Sequence, residues 1–234
     1  MSKLETELSD QTSALQKGVA DSLVNFAKRI EQIVTVSAQQ VVGEAIPHME
    51  LVARELSHVI EDSTDSLWPF AGLGRFYESQ SLWSETEHWR QACLEMTEER
   101  FGPDHPDTAL SLNNLAELYR TMGCYEDAEP LYQRSLAIYE AQLGPDHPDT
   151  AGSYNNMAMF LYGLERYAES ANFGVKALEI VLAKLGQDHP NTQTVGNNFI
   201  AILQKVIETN QTQQLDHHPL TQTILKNLLS NSSE

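Results

Sequence analysis

GPDHPDTA stands at Gly102–Ala109, the same eight letters return at Gly144–Ala151, and GQDHPNTQ follows at Gly186–Gln193, so the interval is 42 residues each time. Behind each copy, at one fixed offset, comes an asparagine pair: Asn113 and Asn114, Asn155 and Asn156, Asn197 and Asn198. A period of about 20 to 50 residues marks a stacked array whose units are each too small to bury an apolar face alone.

Within one unit, Leu112, Leu115, Ala116 and Tyr119 keep the i, i+3, i+4, i+7 spacing of one helical face between Pro106 and Gly123. This predicts a first helix, A. After Gly123, YEDAEPLYQRSLAIYEAQL places Tyr125, Ala128, Leu131, Tyr132, Leu136 and Tyr139 on a second stripe, helix B, which ends at Gly144. Gly102, Gly144 and Gly186 sit just past a helix B, where a left-handed C-cap is expected. In the DHPDT box, proline keeps the preceding histidine out of helical geometry and suits the first helical position. The aspartate after it complements the positive end of the helix dipole. Pro130 is expected in the first turn of its helix B, where a missing N–H costs little.

One period earlier, LWPFAGLGRFYESQSLWSETEHWRQACLEMTEERFG (67–102) reads as a diverged unit: Leu73 and Gly74 answer Leu115 and Ala116, Tyr77 answers Tyr119, and Trp83 answers Tyr125. At the far end TQTILKN, starting at Thr221, echoes TQTVGNN, starting at Thr192, after 29 residues instead of 42. This reads as a truncated unit whose helix, from about Pro219 to Leu229, closes the stack over Phe199 and Leu203. The expected organisation is an N-terminal helical region capping the array (1–64), the array itself (65–208, in units of about 65–102, 103–144, 145–186 and 187–208), and a linker with a C-terminal capping helix (209–234). Near the N-terminus, Leu15, Val19, Leu23, Phe26, Ile30 and Ile33 follow helical spacing, and Met49, Val52, Leu56 and Ile60 do so again after Pro47. A helical hairpin capping the first unit accounts for them better than a coiled-coil dimerisation arm, because no heptad persists.

The alternation of LNNLAELY, GCYEDAEPLYQRSLAIYE and GPDHPDTA resembles the 42-residue tetratricopeptide repeats of kinesin light chains. It is still more similar to the repeat arrays that end bacterial STAND (NB-ARC-type) signalling NTPases, above all the cyanobacterial ones, whose first unit resembles LWPFAGLGRFYESQ. The resemblance covers about 45–208. No GxxxxGK[ST] occurs in the chain, so nothing is expected to cradle a triphosphate. The resemblance implies an all-α, right-handed superhelical solenoid of antiparallel helix pairs with helical caps at both ends, binding without a motor.

The charge of −18, with 15 Lys and Arg against 33 Asp and Glu, repels phosphate backbones and anionic lipid, so no nucleic-acid or membrane partner is expected. The start, MSKLETELSD, is polar and acidic, no apolar run approaches the roughly 18 residues of a membrane span, and Cys93 and Cys124 form no disulfide or metal framework. A cytoplasmic protein with reduced thiols is the expectation.

The expected binding site lies on the concave face of the A helices. Each asparagine pair precedes a core residue (Leu115, Met157 or Phe199), which puts it off the packed stripe, and mid-helix asparagine has poor helix propensity. Amides both donate and accept, so the ladder either grips the backbone of an extended peptide, or bonds the neighbouring repeat, or divides these roles between its members. One and two turns along the same face come Arg75, Glu117, Met159 and Ala201, then Glu78, Arg120, Tyr162 and Gln204, which differ from unit to unit. In kinesin light chains the equivalent face grips peptide cargo, and the resemblance implies the same face here. The Asp-His pairs at Asp104, Asp146, Asp188 and Asp216 are a whole repeat apart and serve helix initiation, so no metal and no cofactor are expected. No serine elbow, HExxH or Cys with a His partner appears, which speaks against an enzyme. The leading reading is a non-catalytic scaffold or adaptor for a protein or peptide, monomeric or weakly dimeric. The alternative is a ligand-sensing regulatory subunit of a bacterial signalling complex.

Overall fold

The computed structural model describes residues 3–30, 36–56, 60, 65–215 and 217–231, with side chains placed for 12–30, 42–55, 60, 65–215 and 217–230. Ile33 and Asp216 lie outside the described residues, as does the side chain of Leu56. The described residues form helices and turns, and consecutive helices pack as antiparallel pairs. The chain divides into two compact units, Met1–Pro103 and Asp104–Glu234.

In the first unit, α1 (Lys3–Lys28) and α2 (Val36–Leu51) precede the pair α3 (Trp68–Ser79) and α4 (Trp83–Phe101). Ala27, Ile30, Val42, Ile46 and Met49 share one buried cluster with Phe70, Leu73, Trp89 and Cys93, so both N-terminal helices pack on the first repeat-like pair. Gly72 sets the distance: a Cβ there would meet Met49 Cε at 2.9 Å, Ala27 Cβ at 3.0 Å and Ile30 Cδ1 at 3.1 Å. Two expectations fail in this unit. Leu15 and Val19 are 71% and 43% exposed, and α1 instead buries Ala20, Val24 and Ala27, small residues that allow close helix approach. Nor does a helix begin after Pro47. The proline sits inside α2, which runs on to Leu51 and ends in a π turn over Val52–Leu56.

In the second unit, α5 (Pro106–Met122) pairs with α6 (Tyr125–Leu143) and α7 (Pro148–Gly163) with α8 (Tyr167–Leu185). Then follow α9 (Pro190–Glu208), a 3-10 turn at Thr212–Gln214 and α10 (Pro219–Asn231). Leu112, Leu115 and Ala116 are buried, as are Ala128, Tyr132, Leu136 and Tyr139 on α6, whereas Tyr125 is exposed. Ala116 and Ala158, one period apart, are both fully buried, while Ile200 at the same register position is 36% exposed. Helix α10 buries Leu225 in the cluster that holds Phe199, Leu203 and Val206, with Leu220, Ile224 and Leu228 packed against it.

The DHPDT box does more than its proline predicts. His105, His147 and His189 are N-caps, and the Nδ1 of each accepts the backbone N–H two residues on, at 3.1, 3.2 and 3.1 Å. The Asp107 and Asp149 carboxylates lie 3.5 and 3.7 Å from the same ring nitrogens. The box threonines are buried. Thr150 Oγ1 donates to Gly144 O at 2.8 Å and Thr192 Oγ1 to Val181 O at 3.3 Å, tying each A helix to the end of the preceding B helix. Gly102, Gly144 and Gly186 do have positive φ, but with ψ of 160°, 158° and 169°. This is the extended mirror region, open essentially to glycine alone, and not the left-handed cap the sequence suggests. Gly123 is the left-handed one, at φ 78° and ψ 10°. Pro130 lies in the second turn of α6, inside the helix, on an exposed face.

Candidate functional site

Helices α5, α7 and α9 lie side by side in the second unit, which brings their asparagine pairs into one register. Asn198 Nδ2 donates to Asn155 Oδ1 at 3.0 Å, so the second member of one pair bonds the first member of the preceding one. The pairs do not lie uniformly off the packed stripe. Asn113 is 7% exposed, and among the described residues its buried Oδ1 meets no hydrogen-bond partner. Asn114 and Asn197 are exposed, and Asn155, Asn156 and Asn198 are half-buried. Adjacent positions on a helix differ by about 100°, so the two amides of a pair point in different directions.

The residues expected one and two turns along divide in the same way. Arg120 Nε donates to Glu117 Oε2 at 2.8 Å, and Tyr132 OH on α6 donates to the same oxygen at 2.7 Å. These two charged residues are thus joined to each other and to helix B. Burial above all, then the Glu117 charge, pushes the Tyr132 phenol up, so it stays a donor. Met159, Ala201 and Tyr162 are half-buried, and Gln204 is exposed. The Tyr162 ring meets Tyr167 edge-on at 5.4 Å, and Lys205, paired with Glu208 at 2.6 Å, has its ammonium form favoured first by that bond and, to a smaller extent, by Tyr162 and Tyr167. In the first unit, Arg75 lies over the Trp68 ring at 5.3 Å, and Glu78 accepts from Arg90 Nη2 at 2.5 Å.

Tyr132, Tyr167 and Lys205 are not among the site residues that the sequence suggests. In the sequence Tyr132 belongs only to the helix B core stripe, and the spacing of a stripe does not show where a hydroxyl ends. Among the described residues no three His, Cys, Asp or Glu side chains group to hold a metal ion, and no helix is long and apolar enough to cross a membrane.

A family model described as "Tetratricopeptide repeat" matches residues 65–141 and again 111–183, together more than half of the chain. The chain belongs to the tetratricopeptide repeat family. Solved structures of tetratricopeptide type share its fold. A Podosopora anserina protein described as a kinesin light chain with nearly identical TPR-like repeats is 19% identical, with a TM-score of 0.62 over 90% of this chain and 93% of that one. A single-substitution variant of that protein, also 19% identical, gives 0.63 over 90% and 92%. BtubC (BKLC) from P. vanneervenii, 17% identical, gives 0.56 over 92% of each. No curated protein matches the sequence. Of the two resemblances seen in the repeats, these neighbours carry the kinesin-light-chain one. They say nothing of signalling NTPases or of a cyanobacterial source.

Proposed function

We propose that this tetratricopeptide chain is a non-catalytic scaffold that holds a partner protein or extended peptide segment on the face formed by α5, α7 and α9. The observation that carries the reading is the division of the amides. Asn198 and Asn155 join two helices, while Asn114 and Asn197 keep exposed surface in the same register and Asn156 a part of its own. Exposed amides donate and accept, which suits a peptide backbone of any sequence. Met159, Tyr162 and Gln204 beside them then select side chains by shape and apolar contact. Arg120 and Glu117, already paired, contribute rigidity more than charge selection.

The test replaces Asn114, Asn156 and Asn197 together by Ala and uses the wild-type chain and the variant as baits in one pull-down. The protein that wild type retains is then titrated against both. Each lost hydrogen bond is worth about 0.5 to 1.5 kcal/mol, so affinity should fall at least about tenfold while circular dichroism stays unchanged. Equal affinity in a folded variant places the partner on another face.

A further inference from the structure

Between α6 and α8, two successive B helices, the second unit leaves a trough. Helix α7 supplies its floor: Met157 and Leu161, almost fully buried, lie beside Leu136 of α6 and the half-buried Phe173 of α8. The space above them is about 280 Å³, room for one or two long side chains. Ala137, exposed on α6 with only a methyl group, keeps it open. This is not the amide-bearing side of α7. At 3.6 residues per turn, Asn156, Met159 and Tyr162 lie at least about 100° around the axis from Met157 and Leu161.

The rim is acidic. Glu129 and Glu140 of α6 and Glu169 of α8 stand against one base, Arg166, so the lining carries two negative charges in excess. Arg166 closes one end, with Nη1 3.1 Å from Glu129 and Nη2 2.7 Å from Glu169, so one guanidinium serves two carboxylates. Glu140, about three turns of α6 away, accepts from the Tyr154 hydroxyl, a neutral donor that does not cancel its charge. Lys176 lies outside the lining, its ammonium 5.4 Å from the Tyr154 ring centre and 6.0 Å from that of Phe173, so these rings already take a cation.

The chain itself shows what meets such a strip. Glu179 and Leu182 of α8 stand one period after Ala137 and Glu140, and the segment that opens α10 lies alongside them. There His218 Nε2 is 3.0 Å from Glu179 Oε1, and Leu220 packs against the buried cluster that holds Leu178 and Val181. A nitrogen base thus sits on a helix-B glutamate with apolar residues next to it. The trough between α6 and α8 offers the same chemistry to a segment from outside. We propose that it is a second docking site, for a basic segment of a partner protein. One arginine or lysine side chain lays its methylene stem on Met157, Leu161 and Phe173 and brings its charged head to Glu140.

The probe is the capped peptide Ala-Arg-Pro-Leu-Thr, which copies 218–221 with arginine in place of His218. It is titrated into the full chain, isotope-labelled at its methionine methyl groups. The Met157 signal, assigned with a Met157→Leu chain, should shift and saturate. Citrulline in place of the arginine, neutral and of the same shape, should weaken binding at least about tenfold, as should Glu140→Gln. Ala137→Trp changes no charge but fills the trough, and should weaken binding as much. Both positions are exposed, so these variants should keep the wild-type circular dichroism. Glu126→Gln with Asp127→Asn removes two charges at the exposed start of α6 and should change affinity less than about threefold. Binding that ignores Ala137→Trp or Glu140→Gln, accepts citrulline equally, or falls as far with the Glu126 and Asp127 changes overturns the proposal. So does a Met157 signal that stays in place at about 10 mM peptide.

Discussion

Asn198 and Asn155 share a 3.0 Å hydrogen bond that spans one full repeat and joins α9 to α7. If the bond holds the stack, its energy should appear as coupling. In a double-mutant cycle with Asn155→Ala and Asn198→Ala, chemical denaturation should give a coupling of about 0.5 to 1.5 kcal/mol. Alanine is the better helix former, so each single variant should lose less than that bond alone suggests. Strict additivity would assign the contact no structural role.

Glycines in this fold should divide by what surrounds them. A Cβ at Gly72 would press on Met49, Ala27 and Ile30, and one at Gly174 would meet the fully buried Phe199 ring at 2.8 Å. Gly72→Ala and Gly174→Ala should each destabilise by about 1 to 3 kcal/mol through overpacking, outweighing the helix gain. Gly152, on the exposed face of α7 with nothing within 4 Å, is the control: Gly152→Ala should stabilise by about 0.5 to 1 kcal/mol. Thermal melts of the three variants measure these shifts, and a Gly72→Ala or Gly174→Ala chain as stable as wild type would contradict the overpacking.

Leu115 is 2% exposed at the centre of α5. Leu115→Ala should cost about 2 to 5 kcal/mol in a urea titration. A loss under about 0.5 kcal/mol, the size of an ordinary surface substitution, would mean that the repeat register is misplaced.

High pH should weaken the fold through its tyrosines. Burial first, then the hydrogen bond to Glu50, pushes Tyr77 up to about 12. Burial and the bond to Glu140 do the same for Tyr154. An unfolded tyrosine releases its proton near pH 10, so between about pH 10 and 12 the folded chain binds more protons than the unfolded one and stability falls as pH rises. Urea midpoints at about pH 8 and pH 11 should show the drop, and Tyr77→Phe should reduce it. On the acid side, the Arg166 hydrogen bond holds Glu169 below the usual carboxylate range. Its contribution is complete above the ordinary glutamate value and is lost as pH falls through the lowered one.

Leu225 of α10 shares a buried cluster with Phe199, Leu203 and Val206, which motivates a cap at this end of the second unit. Removing 216–234 should expose that apolar surface and promote aggregation. A truncated chain that stays monomeric in light scattering and melts at the wild-type temperature would reject the capping role.

The repeated unit is legible because the array repeats its punctuation. Pro106, Pro148 and Pro190 each open a helix at the position the DHPDT box predicts, and Gly102, Gly144 and Gly186 take a positive φ with extended ψ, a backbone conformation open essentially to glycine alone. What spacing does not supply is the direction of polar atoms. A histidine beside a proline does not announce that its Nδ1 will cap the helix, and an Asn-Asn pair does not say which amide turns inward. In α1 the large residues mislead: Leu15 and Val19 have the right period, yet Ala20, Val24 and Ala27 bring the helix closer to its neighbours, and alanines count for little in a hydrophobic pattern. Pro47 shows the reverse error, since a helix accepts an interior proline where tertiary packing compensates the lost bond.

Ile200 limits where this architecture can grow. Wherever Ala116 or Ala158 occupies the corresponding site, a 42-residue module begins and ends on the same junction, so a duplication or a grafted module inserted between Gly102 and Gly186 would meet matched ends on both sides. Joined after α9, the same module would meet a branched side chain where its predecessors offer a methyl group. An engineer lengthening the array should therefore splice into its interior, or first change Ile200 to Ala.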